Sequence, residues 1–223
     1  MSTLPRRLLA EGLGTTLLLA TVVGSGVMGV ALGDGNDAVA LLANAGATAG
    51  MLYVLITVLG PVSGAQFNPA VSLAMALRGE QSVRDAVLYA AVHVLAAIVG
   101  VLLAHAMFDL PWLQSGMQVR TGTSQWLSEG VATFGLVLTI LLGATHRPAA
   151  LPALVASYIF AAYWFTASTS FANPAVTVAR SLTGTFAGIR PEDVAGFVLS
   201  QVAGVIVALG AHRALAGKGE PTG

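Results

Sequence analysis

Long stretches without a charged residue dominate this chain, and their lengths limit what it can fold into. They comprise 22, 40, 23, 16, 32 and 19 residues and run over Gly12 to Gly33, Ala38 to Leu77, Ala86 to Phe108, Gly130 to Thr145, Pro148 to Ala179 and Val194 to His212. A helix needs about 20 residues to cross the ~30 Å hydrocarbon core of a bilayer. The 40-residue and 32-residue runs are too long for one crossing, and at least the second is too short for two. Each is therefore predicted to hold one span and a shorter buried segment.

The composition indicates a membrane protein and argues against several other classes. Of 223 residues, 56% are apolar and 9% are charged, whereas soluble domains carry about 25% charged residues. Ten basic and ten acidic side chains cancel, so no excess of positive charge points to nucleic acid as a partner. Cysteine is absent, which excludes disulfides and thiolate metal sites, and no metal or cofactor is predicted. No nucleophile, base and orienting group recur at a workable spacing, so an enzyme is not expected.

The two halves of the sequence repeat each other. The segment "LLAEGLGTTLLLATVV" around Glu11 matches "WLSEGVATFGLVLTIL" around Glu129, and "NPAVSLAMAL" matches "NPAVTVARSL" at an offset of 105 residues. Three spans per half is an odd number, so the second half is expected to enter the bilayer inverted relative to the first. We therefore predict a single domain over residues 1–223, with one repeat at about 6–108 and the other at about 124–213.

The basic residues predict the orientation of this arrangement. If both termini are cytoplasmic, seven basic residues fall on the cytoplasmic side, namely Arg6, Arg7, Arg78, Arg84, Arg147, Arg213 and Lys218. Three fall outside, namely Arg120, Arg180 and Arg190. An excess of basic residues on the inner side is the pattern typical of membrane proteins.

A repeated tripeptide marks the start of each short segment. It consists of Asn68, Pro69 and Ala70 in the first half and of Asn173, Pro174 and Ala175 in the second. Asparagine is a favoured helix N-cap, and proline is tolerated at the first helical position. Two half-helices are expected to enter from opposite faces and to meet at the midplane. Their positive ends and the two asparagine amides would then point into one central cavity.

Further motifs surround these tripeptides. The first lies within "SGAQFNPAVS", and the first and fourth spans begin with "AEGLGT" and "SEGVAT". With these motifs the chain resembles the aquaporin and aquaglyceroporin family, the major intrinsic proteins, from Arg6 to about Arg213. The resemblance implies an all-α membrane protein of six transmembrane helices and two re-entrant half-helices. It also implies a lipid-embedded homotetramer with one pore per subunit, which passes water or small neutral solutes.

The family's narrowest section, its selectivity filter, maps by this resemblance onto Thr48, Ala161, Ser170 and Val176. All four are small and uncharged, which predicts a wide filter without strict water selectivity. A shift of register in the second position would instead bring in Tyr163, Trp164 or Phe165. Arg180, four residues beyond Val176, is interpreted as a basic residue that snorkels to the interface, in preference to a charge in the vestibule.

Most members of the family carry arginine at the filter position that Val176 occupies here. With valine at that position, the chain is similar to a bacterial subgroup of aquaglyceroporins that is associated with arsenic resistance. The substrates implied are water, glycerol-like polyols, arsenite and methylated arsenicals, and the implied location is the bacterial plasma membrane. Arsenite near neutral pH is an uncharged trihydroxide and so looks like a polyol to a pore. A secondary transporter built on inverted repeats remains the alternative, although such a protein is expected to carry ion-coupling carboxylates at its centre.

Two further groups of residues are expected to serve the pore. Backbone carbonyls would provide acceptors along it at Gly64, Ala65, Gln66, Thr169, Ser170 and Phe171. In the family, the glutamates that match Glu11 and Glu129 hydrogen-bond the backbone of the two loops that carry the tripeptides. We expect that structural role here in preference to proton transport. His93 matches Gln201 across the repeat and is expected to make a polar contact between spans.

Overall fold

The fold is described by a computed structural model that covers residues 2–215, and Lys218 lies outside the described residues. This part of the chain contains eight α-helices and two short 3₁₀ turns, at Pro148–Ala150 and Pro191–Asp193. The helices are α1 (Leu4–Leu32), α2 (Asp37–Ser63), α3 (Pro69–Leu77), α4 (Val83–Met107), α5 (Thr123–His146), α6 (Leu151–Phe165), α7 (Pro174–Arg180) and α8 (Val194–Leu215). Six helical segments of the described residues are long and apolar enough to cross a membrane, and they are formed by α1, α2, α4, α5, α6 and α8. The segments of α6 and α8 each include the 3₁₀ turn that precedes the helix.

The two long charge-free runs divide as expected. The 40-residue run holds α2 and the nine-residue α3, and the 32-residue run holds α6 and the seven-residue α7. Neither short helix can cross a bilayer, because nine residues span only about 14 Å. The predicted all-helical class, with six spans and two half-helices, is confirmed.

The long helices pack in two matched groups. Helix α1 packs against α2 and α4, and α5 packs against α6 and α8. The close approach of α4 to α1 depends on Gly100, where a Cβ atom would collide with the carbonyl oxygen of Thr16. The close approach of α8 to α5 depends in the same way on Gly204, where a Cβ atom would collide with the carbonyl oxygen of Gly130. Small residues at such crossings are how helices associate in lipid, where no hydrophobic effect drives them together.

The short helices lie between the two groups. Helix α3 contacts α4 and α8, and α7 contacts the same two long helices. Their N-terminal ends meet, because the N-cap asparagine of each helix, Asn68 or Asn173, donates to the loop that precedes the other helix. The loops that lead into them, residues 64–67 and 169–172, consequently lie at membrane depth. Non-helical backbone is tolerated there only where protein or water covers it.

Candidate pore and selectivity filter

The two buried loops share an unusual backbone conformation. Ala65 and Phe67 have φ angles of +49°, and the residues 105 positions later, Ser170 and Ala172, have φ angles of +51° and +47°. Left-handed conformations are rare for residues other than glycine, so several in one loop must be held by surrounding contacts. The repeat found in the sequence thus extends to the conformation of its loops.

Glu11 and Glu129 supply these contacts. Glu11 accepts hydrogen bonds from the backbone N–H groups of Gln66 at 3.1 Å and Phe67 at 2.7 Å. Glu129 accepts in the same way from Phe171 at 2.8 Å and Ala172 at 2.9 Å. Both carboxylates are fully buried. Each glutamate therefore ties the α-helix on which it lies to the loop of its own repeat.

A second polar residue contacts each glutamate. His93 Nε2 lies 2.8 Å from the Glu11 carboxylate, and Gln201 Nε2 donates to Glu129 at 2.6 Å and to the hydroxyl of Thr177 at 2.9 Å. These residues occupy α4 and α8. The expected polar contact between spans at His93 is present, and its partner is the glutamate that holds the loop.

The asparagines of the two tripeptides join the loops across the centre. Asn68 Oδ1 accepts from the N–H of Ala70 at 2.9 Å, which caps α3, and Nδ2 donates to the carbonyl of Ala172 at 2.8 Å. Asn173 caps α7 in the same way, and its Nδ2 donates to the carbonyl of Phe67 at 2.8 Å. An amide nitrogen carries two hydrogens. One N–H of each asparagine thus remains available on the side that lines the central cavity.

A cavity of about 290 Å³ runs past both asparagines. One wall is apolar and includes Leu18, Val22, Leu52, Ile56, Leu136, Ile140, Val155 and Ile159. The other carries the polar loops, with Gly64, Ala65, Gln66, Phe67 and Phe171 among the lining residues. Phe67 was not among the expected residues. Thr169, which was expected to contribute its backbone carbonyl, is not among the lining residues, and its hydroxyl lies 3.5 Å from a guanidinium nitrogen of Arg120.

Three of the four expected filter residues line this cavity, namely Thr48, Ser170 and Val176. Ala161 does not, since it is exposed on the far side of α6. Val155, Ile159 and Tyr163 follow each other at four-residue intervals and all line the cavity, whereas a residue two positions from Tyr163 is rotated by about 200° around the helix. Ala161 therefore does not face the cavity, contrary to expectation, whereas Tyr163, two positions further along the same helix, does.

The hydroxyl groups of this section lie close together. Tyr163 Oη donates to Thr48 Oγ1 at 3.3 Å, and both side chains are buried. The hydroxyl oxygen of Ser170 is buried, with no hydrogen-bond partner among residues 2–215. Val176 adds an apolar surface beside them. The section thus offers hydroxyl groups on one side and a methyl surface on the other.

The cavity ends in arginines on both sides. Arg78 and Glu80 line one end, where Arg78 Nε lies 2.6 Å from the Glu80 carboxylate. Arg180 lines the other end and is only 2% exposed, so the interpretation that it snorkels to the interface is wrong. Its Nε donates to the carbonyl of Ala187. No sequence pattern indicates this burial, because Ala187 belongs to a loop that folds back over α7.

Arg120, from the loop between α4 and α5, supports the same end. Its guanidinium donates to the carbonyls of Gly188 and Ser168, each at 3.0 Å. Burial away from water lowers the pKa of Arg120, but an arginine side chain stays protonated near neutral pH. The distribution of basic residues predicts only that Arg120 lies on the outer side of the membrane and does not indicate that it anchors the loop before the second tripeptide.

Comparison with known proteins agrees with this geometry. The family model for the major intrinsic proteins matches residues 1–166. Aquaglyceroporin AqpS of Rhizobium meliloti (strain 1021) is 59% identical over 210 residues, which cover 94% of this chain and 90% of that protein. Aquaporin PIP2-4 of Oryza sativa subsp. japonica is 35% identical over 152 residues, covering 60% of this chain and 52% of that protein.

A solved structure shares the fold. The aquaglyceroporin from Plasmodium falciparum matches with a TM-score of 0.77, over 96% of this chain and 98% of that one, at 17% sequence identity. At that identity the likeness concerns the fold alone. The match to the family model and the similarity to the bacterial relative show which family the chain belongs to. The chain belongs to the major intrinsic protein family, and it is a multi-pass membrane channel for water and small solutes.

Proposed function

We propose that this channel passively conducts glycerol-like polyols, arsenite and methylated arsenicals, together with water. In this proposal the permeation path is the central cavity, and its selectivity filter consists of Thr48, Tyr163, Ser170 and Val176. The tripeptides Asn68, Pro69, Ala70 and Asn173, Pro174, Ala175 form the centre of the path.

The observation that carries the proposal is the chemistry of the filter section. A permeant with several hydroxyl groups can exchange hydrogen bonds with the hydroxyl pair of Thr48 and Tyr163, since both residues line the cavity. Val176 adds neither the bulk nor the charge of an arginine at this position. An uncharged trihydroxide and a polyol share this pattern of hydroxyls around a small body, so one filter suits both.

The centre of the path supports selection for neutral solutes. Water passing Asn68 and Asn173 accepts hydrogen bonds from both amides, which orients it and interrupts a chain of hydrogen-bonded water molecules. The Nδ2 bonds to the carbonyls of Ala172 and Phe67 fix the direction of both amides. A fixed pair of donors gives no favourable site to a cation.

A secondary transporter is less well supported. Glu11 and Glu129 are buried, and each accepts hydrogen bonds from two backbone N–H groups of its loop. Neither glutamate lines the cavity. Glu80 lines the cavity only at its end, where it pairs with Arg78. No carboxylate among the described residues is therefore positioned to couple solute movement to an ion at the centre.

The proposal includes a homotetramer in the plasma membrane of a bacterium, with both termini in the cytoplasm. Because the sequence has no cysteine, single cysteines at Ser2 and at Gly35 can test the orientation directly. A membrane-impermeant thiol reagent applied to intact cells should label Gly35→Cys and not Ser2→Cys. Labelling of Ser2→Cys alone would reverse the orientation.

Uptake by proteoliposomes tests the mechanism of transport. Swelling in glycerol and entry of arsenite should rise linearly with concentration and should not respond to an imposed Na⁺ or H⁺ gradient. Vesicles without protein provide the baseline. Saturable uptake that depends on an ion gradient would contradict a channel and favour the transporter.

A further inference from the structure

Arg180 reaches back into the pore from the end of its helix. It is the last residue of α7, one helical turn beyond Val176. Side chains of a helix lean toward its N-terminus, so the guanidinium of Arg180 extends toward the middle of the pore. Its Cζ atom lies 3.4 Å from the centre of the Phe171 ring, and Phe171 directly follows Ser170. The guanidinium of Arg180 therefore lies beside the filter, although the backbone of Arg180 lies one helical turn beyond the filter.

The guanidinium keeps free donors on the cavity side. Its Nε is bound to the carbonyl of Ala187. Its two terminal nitrogens make no hydrogen bond to residues 2–215, and they are not among the buried unpaired atoms. Since Arg180 lines the cavity and is shielded from outside solvent, these nitrogens face the permeation path.

No carboxylate of the described residues forms an ion pair with this charge. Among residues 2–215, neither Arg180 nor Arg120 takes part in an ion pair. Arg120 lies on the same aromatic ring, with its Cζ 4.9 Å from the centre of Phe171. Two carboxylates lie near this loop. Glu129 accepts from the backbone N–H groups of Phe171 and Ala172, and Asp193 pairs with Arg190 and accepts from the backbone N–H of Arg120. Two positive charges thus lie at one end of the pore without an ion-pair partner among residues 2–215.

We infer that Arg180 is a specificity-determining residue that excludes cations from this pore and donates hydrogen bonds to permeating hydroxyl groups. The inference rests on the proposed permeation path through the central cavity. A fixed positive charge beside a narrow path in a medium of low dielectric repels cations strongly. A neutral polyol meets only hydrogen-bond donors at the same place.

Arg180 places a positive charge beside the filter without adding the bulk of its side chain to the filter. An arginine at position 176 would project its side chain into the section between Thr48 and Ser170. From position 180 the guanidinium stacks on Phe171 instead, and the filter keeps the smaller outline of Val176. The pore thereby admits larger neutral solutes without admitting ions.

Sodium permeability tests the inference. Proteoliposomes with Arg180→Met should show a ratio of Na⁺ to water permeability that is raised by about tenfold or more, because a unit charge a few ångströms from the path is removed. Arg180→Lys, which retains the charge, should stay close to the wild type. Arg190→Met serves as the matched control, because Arg190 is paired with Asp193 and does not line the cavity.

An unchanged Na⁺ to water ratio in Arg180→Met would overturn the inference. If that variant does not reach the membrane as a folded protein, Arg180→Gln is judged by the same ratio. The exchange variant, Val176→Arg with Arg180→Val, should again exclude Na⁺ but conduct less glycerol. Failure of the wild type to conduct glycerol or arsenite would contradict the proposed function alone, since the Na⁺ to water ratio tests Arg180 independently.

Discussion

The buried carboxylate of Glu11 is expected to contribute several kcal/mol to the stability of the folded channel. Glu11→Leu removes the acceptor for the N–H groups of Gln66 and Phe67, at 3.1 and 2.7 Å. Both groups lie in a loop that cannot turn them to water without unfolding. Glu129→Leu removes the acceptor for Phe171 and Ala172 in the same way.

The size of the effect follows from the number of unpaired groups. A buried N–H group left without a partner costs about 1–3 kcal/mol, so either leucine variant should lose about 2–6 kcal/mol of the free energy of unfolding. Glutamine at position 11 or 129 keeps one acceptor oxygen. The amide of the new side chain can donate to His93 or Gln201, so only one backbone N–H stays unpaired. The glutamine variants should lose about half as much.

The free energy of unfolding is measured by titration of purified protein in mild detergent with a denaturing detergent, followed by circular dichroism. Thr15→Val and Thr133→Val are matched controls, since these threonines lie one turn beyond the glutamates on α1 and α5. Their hydroxyls are buried without a partner among residues 2–215. Both control variants should lose little stability, because no hydrogen bond is broken.

Two results would refute this reasoning. Leucine variants no less stable than glutamine variants would show that the carboxylates do not hold the loops. A folded Glu11→Gln or Glu129→Gln channel that has lost transport would instead indicate a role in proton movement.

Two further predictions concern the permeation path. Asn68→Asp and Asn173→Asp should reduce neutral-solute flux and admit cations, because each replaces an amide donor with a carboxylate facing a carbonyl at 2.8 Å. Unchanged glycerol and Na⁺ permeability in both variants would remove these residues from the path. Tyr163→Ala should let larger polyols such as xylitol enter proteoliposomes, whereas Ala161→Phe should have no effect on this size limit. The opposite pattern would return the filter position to Ala161.

The sequence was sufficient for the architecture. Run lengths predict the six spans and the two short helices, because a bilayer fixes how many residues one crossing needs. The capping chemistry of Asn68 and Asn173 predicts where the short helices begin. The hydrogen-bond partners of Glu11 and Glu129 were predicted from the resemblance to the family. The spacing of residues in the sequence does not by itself connect position 11 to position 67.

The rotation of helices and the folding of loops were not predictable in the same way. Tyr163, Trp164 and Phe165 are consecutive aromatic residues that point in directions about 100° apart, and only the packed helix shows which one faces the pore. The four-residue spacing of Val155, Ile159 and Tyr163 was an available signal. Arg180 is buried because Phe171 and Ala187, which belong to two separate loops, both contact its side chain. No local sequence pattern indicates these contacts.

One permeability ratio measures most directly whether the filter of this pore is wide at position 176. Glycerol permeability divided by osmotic water permeability is determined by stopped-flow light scattering on the same proteoliposomes, for the wild type and for Val176→Arg. A guanidinium at this position adds bulk and bound water that a glycerol-sized solute must displace. We predict that the ratio falls in Val176→Arg while most of the water permeability remains, and that arsenite entry falls with it. Equal loss of water and glycerol flux would indicate a blocked or misfolded channel, and an unchanged ratio would show that Val176 does not line the filter.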